Sequence, residues 1–217
     1  MAVSTIAMKD ILVRFQGKTI LENFSLCIAP GEKVVLTGES GLGKSTILKC
    51  LLGFVIPEKG KVLIQGQPLT PESVWNLRTF LAYVPQEPEL GDGNLEEWFK
   101  APFFFRANTD LKKNLELLPE LLERFSLSTE LLHKEVSTLS GGEKQRVVLI
   151  AAMLLQRKIF LLDEPTSALD SKNGKKVLDL LFTIPDASIL AVSHDYKFLD
   201  RADRIIELHP TDKNHAN

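Results

Sequence analysis

The chain has 217 residues, 44% of them hydrophobic and 25% charged, which suits one globular domain with a sizeable core, or one carrying a small inserted lobe. A formal net charge of -2 supplies no field to draw in nucleic acid or an anionic membrane surface, so neither is expected as a direct partner. The longest apolar run, 147–155, falls well short of the roughly 18 residues that span a bilayer, and the N-terminus lacks a basic stretch followed by an apolar one; no secretory signal is expected and the chain is expected to be soluble by itself.

Short β-like patterns at 5–13 and 23–28 predict a small antiparallel layer, closed by a turn at Ala29, Pro30, Gly31 and Glu32. Cys27 in the second pattern and Cys50 further on lie in segments expected to be buried and form no metal-type pair, so reduced structural thiols are expected. Phe15, just after the first strand, is an aromatic that either caps the core or stacks on a base. The apolar run Val34, Val35, Leu36 leads to Gly38, Glu39, Ser40, Gly41, Leu42, Gly43, Lys44, Ser45 and Thr46, and an apolar helix follows at 47–52. This is G-x-x-x-x-G-K-[ST] between a buried strand and a helix. Small residues let successive N–H groups curl around a phosphate, and the helix N-terminus adds its positive end. Lys44 then reaches the outer phosphates and the Ser45 hydroxyl holds magnesium.

A turn at 57–60 leads to a strand at 61–64 and a tight turn at Gln65, Gly66 and Gln67, which predicts a hairpin. Residues 74–79 have helical character, and the strand at 81–84 delivers Gln86 to a long non-β segment, where a glutamine by itself reads as a solvated loop residue. Between 87 and 136 the apolar period becomes helical, which predicts a helical insert in an α/β chain. Within it Phe103, Phe104 and Phe105 are consecutive, so one helix face cannot bury them all; they divide between the insert's own core and an exposed patch that receives a partner.

Ser140, Gly141, Gly142 and Glu143 open a second, strongly apolar helix at 144–155. The serine and glycine amides there form either a simple N-cap or a second anion site. The run 159–162 reads as a strand buried on both faces, with Asp163 and Glu164 at its carboxyl end, where open parallel sheets place their ligands. Asp163 suits magnesium and Glu164 suits polarising an attacking water. A loop at 167–170, a helix at 175–183 and a buried strand at 189–193 follow, the last ending in His194, which is either polar filler or a donor to the terminal phosphate. A last strand at 204–208 precedes a polar tail at 210–217, expected to fray and to leave no room for a C-terminal regulatory domain.

Set in order, these pieces resemble the ATP-binding subunit of ABC transporters over nearly the whole chain. Residues 38–45 look like the family's Walker A, Gln86 its Q-loop, 139–143 its signature, 159–163 its Walker B, Glu164 its catalytic glutamate, 167–170 its D-loop and His194 its switch histidine. Phe15 falls where the family stacks an aromatic on adenine. The resemblance implies a P-loop NTPase core with a mainly parallel sheet, an N-terminal antiparallel β layer and a helical subdomain inserted at about 87–136, the whole of 1–217 forming one ABC ATPase domain. It implies ATP and Mg2+ as ligands. The magnesium would be held by Ser45, Gln86 and Asp163, the nucleotide by Phe15, 38–46 and 140–143, and Glu164, His194, Lys44 and Gln86 would act in hydrolysis.

The family pairs two such chains head to tail, each ATP lying between Walker A of one and the signature of the other. The resemblance therefore implies a nucleotide-dependent homodimer, or pairing with a homologous subunit. Membrane-spanning subunits would be met through the Gln86 loop and the helical subdomain, placing the chain on the cytoplasmic face of a membrane. Three departures stand out: Glu143 replaces the more usual glutamine, Glu39 adds a negative charge to the phosphate loop, and Phe15 replaces the commoner tyrosine while keeping a π-face. The alternative function is an ABC-type ATPase that acts in solution, signals or transmits force without moving a solute.

Overall fold

The computed structural model describes residues 4–209; the tail expected to fray, 210–217, lies outside them. Two long antiparallel strands come first, β1 (Ile6–Phe15) and β2 (Lys18–Ile28), joined by a two-residue turn in which Gln16 and Gly17 both have positive φ, 49° and 78°. Next come β3 (Lys33–Thr37), α1 (Lys44–Leu51), β4 (Lys59–Ile64), β5 (Gln67–Pro68), α2 (Val74–Arg78) and β6 (Leu81–Val84). The segment after β6 holds α3 (Leu95–Lys100), 3-10 turns over Ala101–Phe104 and Arg106–Leu117, α4 (Leu118–Arg124) and two short 3-10 turns at Thr129–His133 and Val136–Thr138. Then follow α5 (Gly141–Leu154), β7 (Ile159–Asp163), α6 (Ser171–Phe182), β8 (Ser188–Val192), α7 (Tyr196–Leu199) and β9 (Arg204–Glu207).

The chain divides into two compact units. The first, residues 4–81, 158–163 and 185–209, carries an antiparallel sheet in the order β2-β1-β4-β5 and the parallel strands β7-β8-β3-β9. β7 and β8 are buried at every position, as expected of strands covered on both faces. Their register aligns the carboxyl ends: Val192 stands opposite Asp163 on one side and Leu36 on the other. The second unit, 82–157 and 164–184, contains the helical segment together with α5 and α6, packed around Leu95, Phe99, Leu122, Phe125, Val136, Val147 and Leu178. Asn114 fastens the 3-10 segment to α5 by donating to the Leu154 carbonyl at 2.7 Å, and Arg157 bonds the Asn108 side chain.

The antiparallel layer differs from its expected outline. β2 starts at Lys18, five residues before the expected 23: Asn23 sits inside the strand with φ 50°, beside the break in pairing between Ile11↔Phe24 and Val13↔Leu21 that interrupts the pattern. Cys27 is exposed rather than buried, since burial alternates along β2 and its neighbours Leu26 and Ile28 take the inward positions; Cys50 is buried as expected. Burial pushes the Cys50 thiol up to about 11, which leaves it protonated and inert.

Candidate functional site

Between β3 and α1 the chain forms a loop in which Gly38, Gly41 and Gly43 all have positive φ, at 130°, 84° and 93°. At Gly38 no other residue fits, because a Cβ there would lie 2.5 Å from the Leu208 carbonyl oxygen. Gly43 is the N-cap of α1 and, having no side chain, leaves the first-turn N–H groups uncapped and turned towards the loop. Lys44 is 9% exposed, and its ammonium donates to the Gly38 carbonyl and, at 2.8 Å, to the Glu39 carbonyl. A cation is thereby held across the mouth of an amide-lined turn. Glu39, Ser40 and Gly41 are exposed; Leu42, Ser45 and Thr46 are half-buried.

Asp163 ends β7 with 6% exposure. Burial raises its pKa above the ordinary carboxylate value, against a hydrogen bond from the Ser45 hydroxyl and the charges of Lys49 and Lys44. A hydroxyl and a carboxylate bonded to each other beside the phosphate loop are the hard oxygen donors that magnesium prefers. They fit that ion without a dedicated protein cage; among the described residues no group of three or more His, Cys, Asp or Glu side chains is placed to hold a metal.

His194 lies two residues beyond Val192 and is exposed. Its loop is tied down by Ser193, which is fully buried, donates its N–H to the Leu36 carbonyl at 3.3 Å and accepts from the Asp195 N–H at 3.1 Å. The register Asp163↔Val192↔Leu36 thus carries the carboxylate, the histidine and the start of the phosphate loop to the same edge of the parallel strands. Phe15 is the last residue of β1 rather than the one after it, and 48% exposure rules out a core-capping role. Its hairpin runs beside the phosphate loop: a Cβ on Gly43 would stand 2.9 Å from Ile20 and 3.0 Å from Leu21, both on β2.

The second unit carries the other candidates. Gln86 is exposed just past β6. Glu164 is half-buried with φ 46° although it precedes Pro165, and its carbonyl accepts from the Ser167 N–H at 3.1 Å and hydroxyl at 2.9 Å. A non-glycine residue held left-handed is strained. Ser140 is the N-cap of α5 in a reciprocal capping box: its hydroxyl accepts from the Glu143 N–H at 3.3 Å, while Glu143 accepts from the Ser140 N–H at 2.8 Å. Burial works to raise the Glu143 pKa, but the Ser140 donors, with Arg146 and Lys134, prevail and hold it below the ordinary value. Gly142 has to be glycine, since a Cβ there would lie 2.8 Å from the Ala168 carbonyl oxygen in the loop before α6.

The ABC transporter family model matches residues 21–167, more than half of the chain. The chain belongs to this family. It is 33% identical over 194 residues to the probable iron export ATP-binding protein FetA of Escherichia coli (strain K12), covering 88% of this chain and 85% of that protein. It is 34% identical to the mesentericin-Y105 transport/processing ATP-binding protein MesD of Leuconostoc mesenteroides, but spans only 27% of that protein's length. Among solved structures, a dimeric ATP-binding cassette in a post-hydrolysis state, bound to ADP and Pi, superposes with a TM-score of 0.81 and 28% identity over 94% of each chain. The fold is the ABC ATPase fold, with its antiparallel layer and parallel P-loop core.

Against the ABC pattern, the first unit holds Phe15, Walker A, Asp163 and His194, and the second holds Gln86, Glu164 and the signature. Lys49 and Gln145 of this ABC chain were not singled out in the sequence, and Asp170 was read there only as the end of the D-loop. Lys49 lies one helical turn beyond Ser45 on α1, a spacing that signals a shared face and adds charge near Asp163. Asp170 caps α6, accepting from the Lys172 N–H at 2.9 Å and the Asn173 N–H at 3.0 Å, which starts that helix at Ser171 rather than 175. Gln145, a fully buried amide on α5, gave no signal beyond being polar on an apolar helix.

Proposed function

We propose that this chain is the ATP-hydrolysing subunit of an ABC transporter, one ABC ATPase domain in which 87–136 is the helical subdomain. The observation that carries the reading is the shared edge of β7, β8 and β3, where Asp163, bonded to the Ser45 hydroxyl, lies in register with the strand ends leading to Walker A and His194. The glycine-loop amides and Lys44 bind the phosphates, and Phe15 stacks on the base. Ser45 and Asp163, joined by Gln86, would hold magnesium, which neutralises charge building on the phosphates. Glu164 takes a proton from the attacking water, and His194 donates to the terminal phosphate.

Ser140, Gly141, Gly142 and Glu143 present a second amide-rich helix start, which serves the ATP bound to another copy of the chain or to a homologous subunit, paired head to tail. The Gln86 loop and the exposed Phe104 and Phe105, 71% and 69% exposed, meet membrane-spanning partners that keep the chain at the cytoplasmic face. Among the described residues no helix is long and apolar enough to cross a membrane. Glu164→Gln tests the chemistry: ATP turnover falls at least about 10²-fold, the usual worth of a general base, while ATP affinity holds. Turnover within a few fold of wild type contradicts the assignment.

A further inference from the structure

Gln145 is fully buried in the second turn of α5, on the face that also buries Leu149 and Ala152. Its Nε2 donates to the Pro85 carbonyl at 3.3 Å, and its Oε1 has no partner among the described residues. An amide with an unmatched buried oxygen is a poor way to fill space, since a methionine of similar volume would leave no polar atom stranded. What the amide gains is a grip on one carbonyl. That carbonyl shares a planar peptide unit with the N–H of Gln86, so holding it fixes the direction in which the chain enters Gln86. Gln145 itself lies two residues past Glu143, on the helix that the signature opens.

We infer that Gln145 is a positioning residue, its amide holding the Pro85 carbonyl so that Gln86 keeps a set place relative to the signature end of α5. The bond is long and single, a weak latch that lets the loop move when Gln86 meets a ligand or partner. The inference rests on the reading of Gln86 as a magnesium ligand. It ties two parts of the ATPase that otherwise face different partners, the loop towards the membrane subunits and the helix towards the second nucleotide.

The test is the Mg2+ concentration giving half-maximal ATP turnover and, in a Glu164→Gln background that blocks hydrolysis, the Mg2+ dependence of ATP binding read by calorimetry, both measured on the full chain for wild type, Gln86→Ala, Gln145→Met and the double variant. Gln86→Ala raises the Mg2+ midpoint roughly tenfold, Gln145→Met raises it several fold, and the double variant is no worse than Gln86→Ala, because the latch acts only through that residue. Gln145→Glu adds a pH readout. Its carboxylate repels the Pro85 carbonyl when ionised and donates to it when protonated, so its Mg2+ requirement returns towards wild type as pH falls. Should Gln145→Met fail to fold, the glutamate variant decides alone. A shift for Gln86→Ala with none for Gln145→Met, a pH-independent defect in Gln145→Glu, or a double variant showing the product of the two shifts overturns the role of Gln145. No shift for Gln86→Ala removes the magnesium reading itself and this inference with it.

Discussion

At Asp163 packing and chemistry pull in opposite directions. Burial holds the carboxyl above its ordinary value, so the folded chain binds that proton more tightly than the unfolded one; stability from this group is fullest below the unfolded value and is lost as pH rises through the folded one. Asp163→Asn therefore melts higher than wild type at neutral pH, and the difference closes below the ordinary carboxylate range; scanning calorimetry across pH checks this. The same variant loses at least about 10²-fold in Mg2+-dependent turnover if, as proposed, the carboxylate it removes holds the metal. Glu143 shows how a departure from the family pattern is accommodated: its carboxylate closes the capping box on Ser140, a task that glutamine performs equally well. Glu143→Gln stays within about 0.5 kcal/mol of wild type, while Glu143→Ala costs about 0.5 to 1 kcal/mol, as denaturant titration reads it. Most candidate positions stand out in the sequence because the motifs are dense in glycine and charge. The placement of Cys27 and of Gln145 does not, since inward or outward facing depends on register and on partners distant in sequence.

At the scale of elements, the buried strands announced themselves through apolar runs at 159–162 and 189–193, and the phosphate loop through its spacing. The ends of elements were harder to read. Asn23 interrupts the strand pattern where the pairing register shifts, and Ser171, Asn173 and Gly174 are weak helix formers that enter α6 because Asp170 caps it. The 3-10 character of Arg106–Leu117 also escaped, since its anchors, Asn114 on the Leu154 carbonyl and Asn108 beside Arg157, bridge some 40 to 50 positions. The aromatic trio splits as geometry demands: Phe103 is 3% exposed, while Phe104 and Phe105 face out, with the Lys112 ammonium 6.0 Å from the Phe104 ring centre. Phe103→Ser accordingly loses about 3 to 5 kcal/mol of stability. The pair Phe104→Ser and Phe105→Ser leaves the melting temperature and the isolated chain's ATPase activity near wild type and weakens recovery of membrane subunits in a pull-down.

At the scale of the whole molecule, two glycine-rich helix starts lie one in each unit: α1, with no side-chain cap, in the first and α5, closed by the Ser140 and Glu143 capping box, in the second. The proposed head-to-tail pairing would give both a use, each nucleotide meeting Walker A of one copy and the signature of the other. The deciding measurement is the solution mass of the Glu164→Gln chain, by light scattering, with and without Mg-ATP. From a 24.2 kDa chain the account predicts a monomer without nucleotide and a doubled mass with it, the doubling abolished by Lys44→Ala or by Gly142→Asp. A mass that ignores ATP, or a doubling that survives both changes, contradicts it.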